Sequence, residues 1–202
     1  MAHLLPGTSA EAIATAAQLL RQGQLVVFPT DTVYGVGSFA FDAVAVERLF
    51  AAKQRPSDKG IPILLADIAD LDKVARDIPS VARTYIAKFW PGPLTLVVPR
   101  HPSLPANLAP NDSVAVRIPD SDIARAIIRQ AGGAVAATSA NLSGQSPAQT
   151  AVEGMAYLGD VTAAVVDGGP SPGGAVSTIV DCTVSPPKLL RIGPITAVDL
   201  SL

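Results

Sequence analysis

Apolar residues follow two periodicities along this chain of 202 residues, and the two alternate. Spacings of three and four residues mark helices, whereas short unbroken apolar runs mark buried strands. Ile13, Ala16, Ala17 and Leu20 keep helical spacing. Thr8 and Glu11 ahead of them have the separation of a capping box, and Gly23 is a natural stop. Leu25 to Phe28, closed by Pro29, reads as a strand. Asp42 then caps a helix running through Lys53, with Val46, Leu49 and Phe50 on one face. Ile61 to Ala66 is a strand. Two helices follow, one marked by Leu71, Val74, Ala75 and Ile78 and the next by Val81, Tyr85 and Phe89, before the rigid break Trp90-Pro91-Gly92-Pro93.

Further along, Leu94 to Val98 and Val114 to Ile118 read as strands. A helix from Ile123 to Ala131 starts behind Asp120 or Asp122 and stops at Gly132 and Gly133. Ala134 to Thr138 is a buried strand, and Thr150 with Glu153 repeats the capping-box spacing before a helix to about Leu158. Ala163 to Val166, Val176 to Val180 and Lys188 to Ile192 are late strands. Strands alternating with helices predict an α/β protein, an open twisted sheet flanked by helices. The Pro-rich stretch from Pro102 to Pro110 and the Pro186-Pro187 pair imply some antiparallel members, so the expected sheet is mixed. No repeat or low-complexity segment interrupts it, and the expectation is one domain over residues 1–202.

Composition narrows the function. Apolar residues make up 49% of the chain and charged ones 16%, enough for a large core, but aromatics are 4%, so aliphatic residues must fill it. A formal net charge of −2 argues against a general nucleic-acid coat, though not against a local basic cleft. One cysteine, Cys182, excludes an internal disulfide and reads as a buried inert thiol. With His3 and His101 as the only histidines, neither a protein-held zinc ion nor a Ser-His-Asp set is expected. No apolar run approaches the roughly 18 residues of a membrane span, which predicts a soluble cytoplasmic protein.

Polar clusters sit where strands end, the usual place for ligands in open α/β sheets. Three cations fall within the seven residues from Lys53 to Lys59, at the end of a helix pattern and ahead of a glycine. Such a cluster suits a polyanion, and reads equally as a solvated basic loop. Pro29-Thr30-Asp31-Thr32-Val33-Tyr34-Gly35 is either a ligand loop or a turn capped by its own side chains. Arg117 shares a strand face with Ala115 among apolar neighbours. An arginine in the middle of an apolar strand is costly unless it meets an anion, supplied by a ligand carboxylate or an internal salt bridge, or lies on an exposed sheet face. Thr138-Ser139-Ala140-Asn141-Leu142-Ser143-Gly144 offers small polar groups and no Walker signature, and the glycines at 168, 169, 173 and 174 suit a mobile flap or a plain loop. A site rich in cations and hydroxyls and poor in acid/base pairs fits phosphoryl or nucleotidyl transfer, where positioning and charge neutralisation dominate.

Taken in order, these segments resemble the YrdC-like family, the threonylcarbamoyl-AMP synthases, across roughly Ala12 to Gly193. The resemblance rests on Pro29 to Gly35, Lys53-Gln54-Arg55-Pro56, Trp90-Pro91-Gly92-Pro93-Leu94-Thr95, Val116-Arg117-Ile118-Pro119, Ser139 to Gly144 and Ser177-Thr178-Ile179. It looks like the short form of the family, lacking the extra C-terminal domain of longer members. The resemblance implies a sheet with a concave basic cavity and an enzyme that makes threonylcarbamoyl-AMP and pyrophosphate from L-threonine, bicarbonate and ATP. Magnesium would come with the ATP. The product would pass to a separate tRNA threonylcarbamoyl transferase complex acting on the adenosine next to the anticodon. By family likeness, Thr30 and Ser177 would contact threonine, Arg117 would pair with its carboxylate and Ala137 would offer backbone to the same ligand, with Tyr34 as a wall of the amino-acid pocket. Lys53 and Arg55 would hold phosphates in the catalytic step, and Ser57, Ser113, Ser139, Asn141 and Arg191 would line the nucleotide side. Rival readings are an RNA-binding module, a carbamoyl-transfer relative and a paralogue with feeble synthase activity. Net acidity and scarce aromatics weigh against the first, for which weak, steeply salt-dependent RNA binding would be incidental. The lack of acylphosphatase or zinc-finger segments weighs against the second, and the intact Lys53-x-Arg55 and Ser139-x-Asn141 against the third.

Overall fold

The computed structural model describes residues 2–56 and 59–202. Strands β1 (His3–Pro6), β2 (Val26–Phe28), β3 (Gly35–Phe39), β4 (Ile63–Leu65) and β5 (Leu94–Pro99) are followed by β6 (Ser113–Arg117), β7 (Ala134–Ser139), β8 (Ala164–Asp167), β9 (Thr178–Asp181) and β10 (Lys188–Arg191). Helices α1 (Ala10–Arg21), α2 (Ala43–Lys53), α3 (Ser80–Phe89), α4 (Asp122–Ala131), α5 (Ala151–Leu158) and α6 (Ala197–Leu200) fill the connections. All ten strands form one sheet in the order β1-β8-β2-β3-β7-β4-β6-β5-β9-β10. It is mixed, as expected. β1–β8, β2–β8, β4–β6 and β5–β9 pair in parallel, and the other neighbours are antiparallel.

The two faces are covered unequally. On one, α2, α3 and α5 press Leu49, Ile86 and Leu158 onto Ile63, Leu96 and Val116, where each fully buried aliphatic side chain is worth about 1.5–3 kcal/mol. On the other, Ala16, Ala17 and Leu20 of α1 and Ile127 and Ile128 of α4 cover Phe28, Leu64 and Val135. Alanines let this helix pair lie close to each other and over β2, β3, β4, β7 and β8. Farther along the same face, β6 and β5 continue with Arg117 and Thr95. The site lies where that helical layer stops.

Several local expectations are corrected. Ser9, not Thr8, caps α1, accepting from the Ala12 amide, and Ser121 rather than Asp120 or Asp122 caps α4. Thr150 and Glu153 do form a capping box. The helix read from Leu71 to Ile78 is a 3-10 segment, Ile68–Lys73, followed by a bridge from Ala75 to Arg100. Its apolar spacing is real, for those residues are buried, but Asp77 has φ 47° and the chain turns out of the helical path. β1 and β3 were not anticipated: β1 is an exposed edge, and β3 carries glycines where side chains would mark a strand. At Gly37 a Cβ would sit 2.7 Å from Val135 Cγ1 and 2.9 Å from Phe28 Cε1, so the missing side chain is what lets the layers close. Among the described residues no helix is long and apolar enough to cross a membrane.

Candidate active site

The end of the α1/α4 layer leaves a cavity of about 90 Å³ over the sheet. Its floor is a row of side chains across neighbouring strands. Leu64 of β4 pairs with Arg117 of β6, and the β5–β6 register brings Thr95 beside Arg117. Ala137 and Ser139 at the end of β7 close one side. Thr30, Thr32 and Val33 from the β2–β3 turn close another, and Ser177 and Arg191 a third.

Arg117 is 5% exposed and is held at three points. Its Nε donates to the Gly92 carbonyl at 2.9 Å, Nη1 to Thr32 Oγ1 at 3.0 Å, and Nη2 to Asp31 Oδ1 at 2.5 Å. The salt bridge, one of the two partners open to a mid-strand arginine, is therefore present. Burial pulls the Arg117 pKa down and Asp31 opposes that shift. A guanidinium has five N–H donors. Three are spent, which leaves two without a partner among the described residues. Thr30 donates its hydroxyl proton to the Val33 carbonyl at 2.6 Å, so in the 3.0 Å contact between Thr30 and Thr32 the donor is Thr32. The Thr30 oxygen also accepts from the amides of Thr32 and Val33. The β2–β3 loop is thus a self-capped turn that aims Arg117.

A second cluster surrounds Lys53, which is 2% exposed. Its Nζ donates to the Ser139 carbonyl at 2.5 Å, to Asn141 Oδ1 at 2.9 Å and to the Asn141 carbonyl. Ser139 donates to the same Asn141 Oδ1 at 2.6 Å, and Asn141 Nδ2 donates to the Leu142 and Gln145 carbonyls. All three ammonium protons and both amide protons are consumed in tying the end of α2 to the loop after β7. Burial, and then the nearby Arg55, bring the Lys53 pKa down to about 8. Arg55 donates to the Lys59 and Gly60 carbonyls at 2.9 and 2.8 Å.

A third cluster joins the far edge. Arg191 donates through Nε to the Ser177 carbonyl at 2.8 Å and through Nη2 to Ser177 Oγ at 3.1 Å. Ser177 Oγ lies 2.8 Å from Thr95 Oγ1. A bulge between Leu189 and Arg191 sets Arg191 opposite Ile179, which in turn pairs with Thr95. Burial and the positive charges of Arg117 and Arg55 lower the Arg191 pKa. The cations of the three clusters therefore feel one another.

The sequence-derived candidates fall into distinct places. Thr30, Arg117, Ala137, Ser139, Ser177 and Arg191 line the cavity. Lys53 and Asn141 bind its wall from behind, through Ser139. Tyr34, expected as a wall, is fully buried in the core, and its hydroxyl donates to the Gly169 carbonyl at 2.7 Å and accepts from the Gly168 amide. Burial raises its pKa. Strand alternation explains the difference: Tyr34 projects away from the face on which its neighbour Gly35 meets the cavity. Ser113 shares the Arg117 face but lies four residues up the strand, roughly 13 Å away, and bonds Asn111. Ser57 lies outside the described residues. Asp31, Thr32 and Thr95 were missed as site residues, although all three belong to the segments that carry the resemblance. For Thr95 the signal was a lone hydroxyl in an otherwise aliphatic strand. Cys182 is buried, with its pKa pushed up to about 11 by burial and by Asp181, as expected of an inert thiol.

Comparison with known proteins gives this geometry a context. The chain is 44% identical to the threonylcarbamoyl-AMP synthase of Bacillus subtilis (strain 168), covering 91% of this chain and 54% of that protein. It is 42% identical to the threonylcarbamoyl-AMP synthase of Pyrococcus abyssi (strain GE5 / Orsay), covering 90% and 54%. It thus spans about half the length of these curated relatives. A crystal structure of P. abyssi Sua5 complexed with L-threonine superposes with a TM-score of 0.95 at 37% identity, covering 100% of this chain and 60% of that one. E. coli YciO, at 22% identity, shares the fold with a TM-score of 0.89 over 99% of this chain and 100% of that one. Residues 18–193 match the Sua5/YciO/YrdC family, described under the heading "Telomere recombination", and the chain belongs to that family.

Proposed function

We propose that this chain is the catalytic unit of a threonylcarbamoyl-AMP synthase, making threonylcarbamoyl-AMP from L-threonine, bicarbonate and MgATP. The observation that carries the reading is Arg117, a buried guanidinium fixed at three points with two N–H groups to spare beside a small pocket. A carboxylate of an amino acid satisfies that pair. The likeness to P. abyssi Sua5, crystallised with L-threonine, supports threonine as the amino acid. Arg191, Arg55 and Lys53 supply positive charge for the phosphates on the remaining sides.

In the chemistry, the threonine amine adds to bicarbonate and loses water to give a carbamate. A carbamate oxygen attacks the α-phosphorus of ATP, the bond to the bridging oxygen breaks, and pyrophosphate leaves. Fixed cations favour this step because negative charge spreads onto the leaving group. Magnesium enters as part of the substrate. A pocket walled by Leu64, Val33 and Val176 keeps water from the labile mixed anhydride. A separate transferase would then place the threonylcarbamoyl group on tRNA adenosine.

The test is mass spectrometry of the purified chain with ATP, L-threonine and bicarbonate. A product with the mass of threonylcarbamoyl-AMP, lost when any one substrate is left out, is the expected result. ATP hydrolysed to AMP with no threonine-dependent product would overturn the reading.

A further inference from the structure

Four buried hydroxyls line the cavity, those of Thr30, Thr32, Thr95 and Ser177. Counting their protons separates them. Thr30 gives its proton to the Val33 carbonyl, and Thr32, which accepts from Arg117, gives its own to Thr30. Neither has one left. Thr95 and Ser177 bond to each other at 2.8 Å, a contact that uses one proton of the two. The other has no acceptor among the described residues, although both side chains are buried.

The direction of this pair follows from its third member. Arg191 Nη2 donates into Ser177 Oγ at 3.1 Å. A hydroxyl that accepts from a cation becomes a better donor, and hydrogen bonds in a chain polarise in one direction. Ser177 therefore donates to Thr95, and the unspent proton sits on Thr95 Oγ1. Thr95 is 3% exposed, faces the cavity and stands next to Arg117 across the β5–β6 pair. Side chains so related lie about 4.5–5.5 Å apart at Cβ, near enough to reach one carboxylate together.

We propose that Thr95 ends a donor chain running from Arg191 through Ser177, and that its hydroxyl hydrogen-bonds the carboxylate of the amino-acid substrate alongside Arg117. This deepens the proposed function and rests on it. The chain also gives Arg191 a second task, since it fixes the direction in which the hydroxyls point.

The test is calorimetric titration of L-threonine into the wild-type chain, Thr95→Val, Thr95→Ser and Arg117→Ala, with thermal melts as folding controls. Valine keeps the shape of threonine and removes the hydroxyl, whereas serine keeps the hydroxyl. Losing a hydrogen bond to a charged group weakens binding by about tenfold or more. Thr95→Val is expected to raise Kd by about that factor and Thr95→Ser to stay within about threefold of wild type. Wild-type binding that Arg117→Ala abolishes and Thr95→Val leaves unchanged would overturn this inference and spare the function. Absence of threonine binding by the folded wild type would overturn both. If Thr95→Val melts early, Thr95→Ser against Thr95→Ala decides: equal weakening in both removes the hydroxyl from the argument.

Discussion

Arg117 lines the cavity and Lys53 lies behind its wall; both are buried cations, yet they are held in opposite ways. Arg117 has an acidic partner and donors in reserve. Lys53 has no carboxylate partner among the described residues and spends every proton on oxygens of Ser139 and Asn141. The first is prepared to take an anion without rearrangement. The second is a strut that shapes the loop after β7 and contributes its charge through space. A buried charge needs partners wherever it sits, but whether those partners exhaust it decides if it binds or braces.

Breaking the Arg117 side should have the largest effect. Arg117→Ala removes the proposed carboxylate contact and strands Asp31, with an expected cost of about 2–4 kcal/mol in threonine binding. That corresponds to roughly 30- to 1000-fold in the threonine KM. Arg117→Lys should not rescue it, because an ammonium cannot reproduce the fork. An unchanged threonine KM in either variant rejects the assignment.

Lys53→Met should act differently, on stability first. It takes the ammonium from three oxygens, of which the Asn141 carbonyl has no other donor among the described residues, and this costs about 1–3 kcal/mol in denaturant unfolding. A pH signature accompanies it. Lys53 titrates near 8 in the folded chain, held down by burial and by Arg55, and near its ordinary higher value when unfolded. Between those values the unfolded chain holds a proton that the folded chain has released, so this group makes stability rise with pH across the window. Lys53→Met should flatten that rise; an identical slope in wild type and variant would show that the ammonium is not desolvated.

Asp31→Asn sharpens the comparison, because it keeps the shape of the Arg117 partner while removing its charge. A rise of about tenfold in threonine KM with kcat nearly unchanged is expected, the mark of a residue that positions Arg117. Loss of kcat alone would assign Asp31 a different task.

The smallest effect belongs to a control outside the site. Asp67 joins Arg125 and Arg129 of α4 at 2.9 and 2.8 Å, and hydrogen bonds from Arg129 and Arg125 hold its pKa down at about 2. Its contribution is present above the ordinary carboxylate range and fades as pH falls toward 2. Because the group is well exposed, Asp67→Ala should cost under about 1 kcal/mol at neutral pH and leave threonine KM untouched.

Much of this is legible in the sequence. The buried runs Leu25 to Phe28, Ile61 to Ala66 and Ala134 to Thr138 announced central strands, because burial on both faces leaves a continuous apolar mark. Arg117 stood out because a cation amid valines demands a reason. What was hidden depended on pairing. β3 is built on glycines whose role is to be thin, and no propensity marks it. Thr95 looked like strand filler until Arg117 and Ser177 were set beside it by two neighbouring strands. Tyr34 belongs to a motif that points to the pocket, but, one residue ahead of β3, it faces away from the side on which Gly35 meets the cavity.

The bulge in β10 has a consequence for how insertions and deletions act. With regular pairing after Leu189, Leu190 would stand opposite Ile179 and Arg191 would fall out of phase with the site. The extra residue restores the phase. Deleting Leu190 would straighten the strand and still leave the arginine opposite Ile179, whereas inserting one residue there would carry it to the other face. At this edge of the sheet, the protein should forgive a shortened reading of its chain and punish a lengthened one.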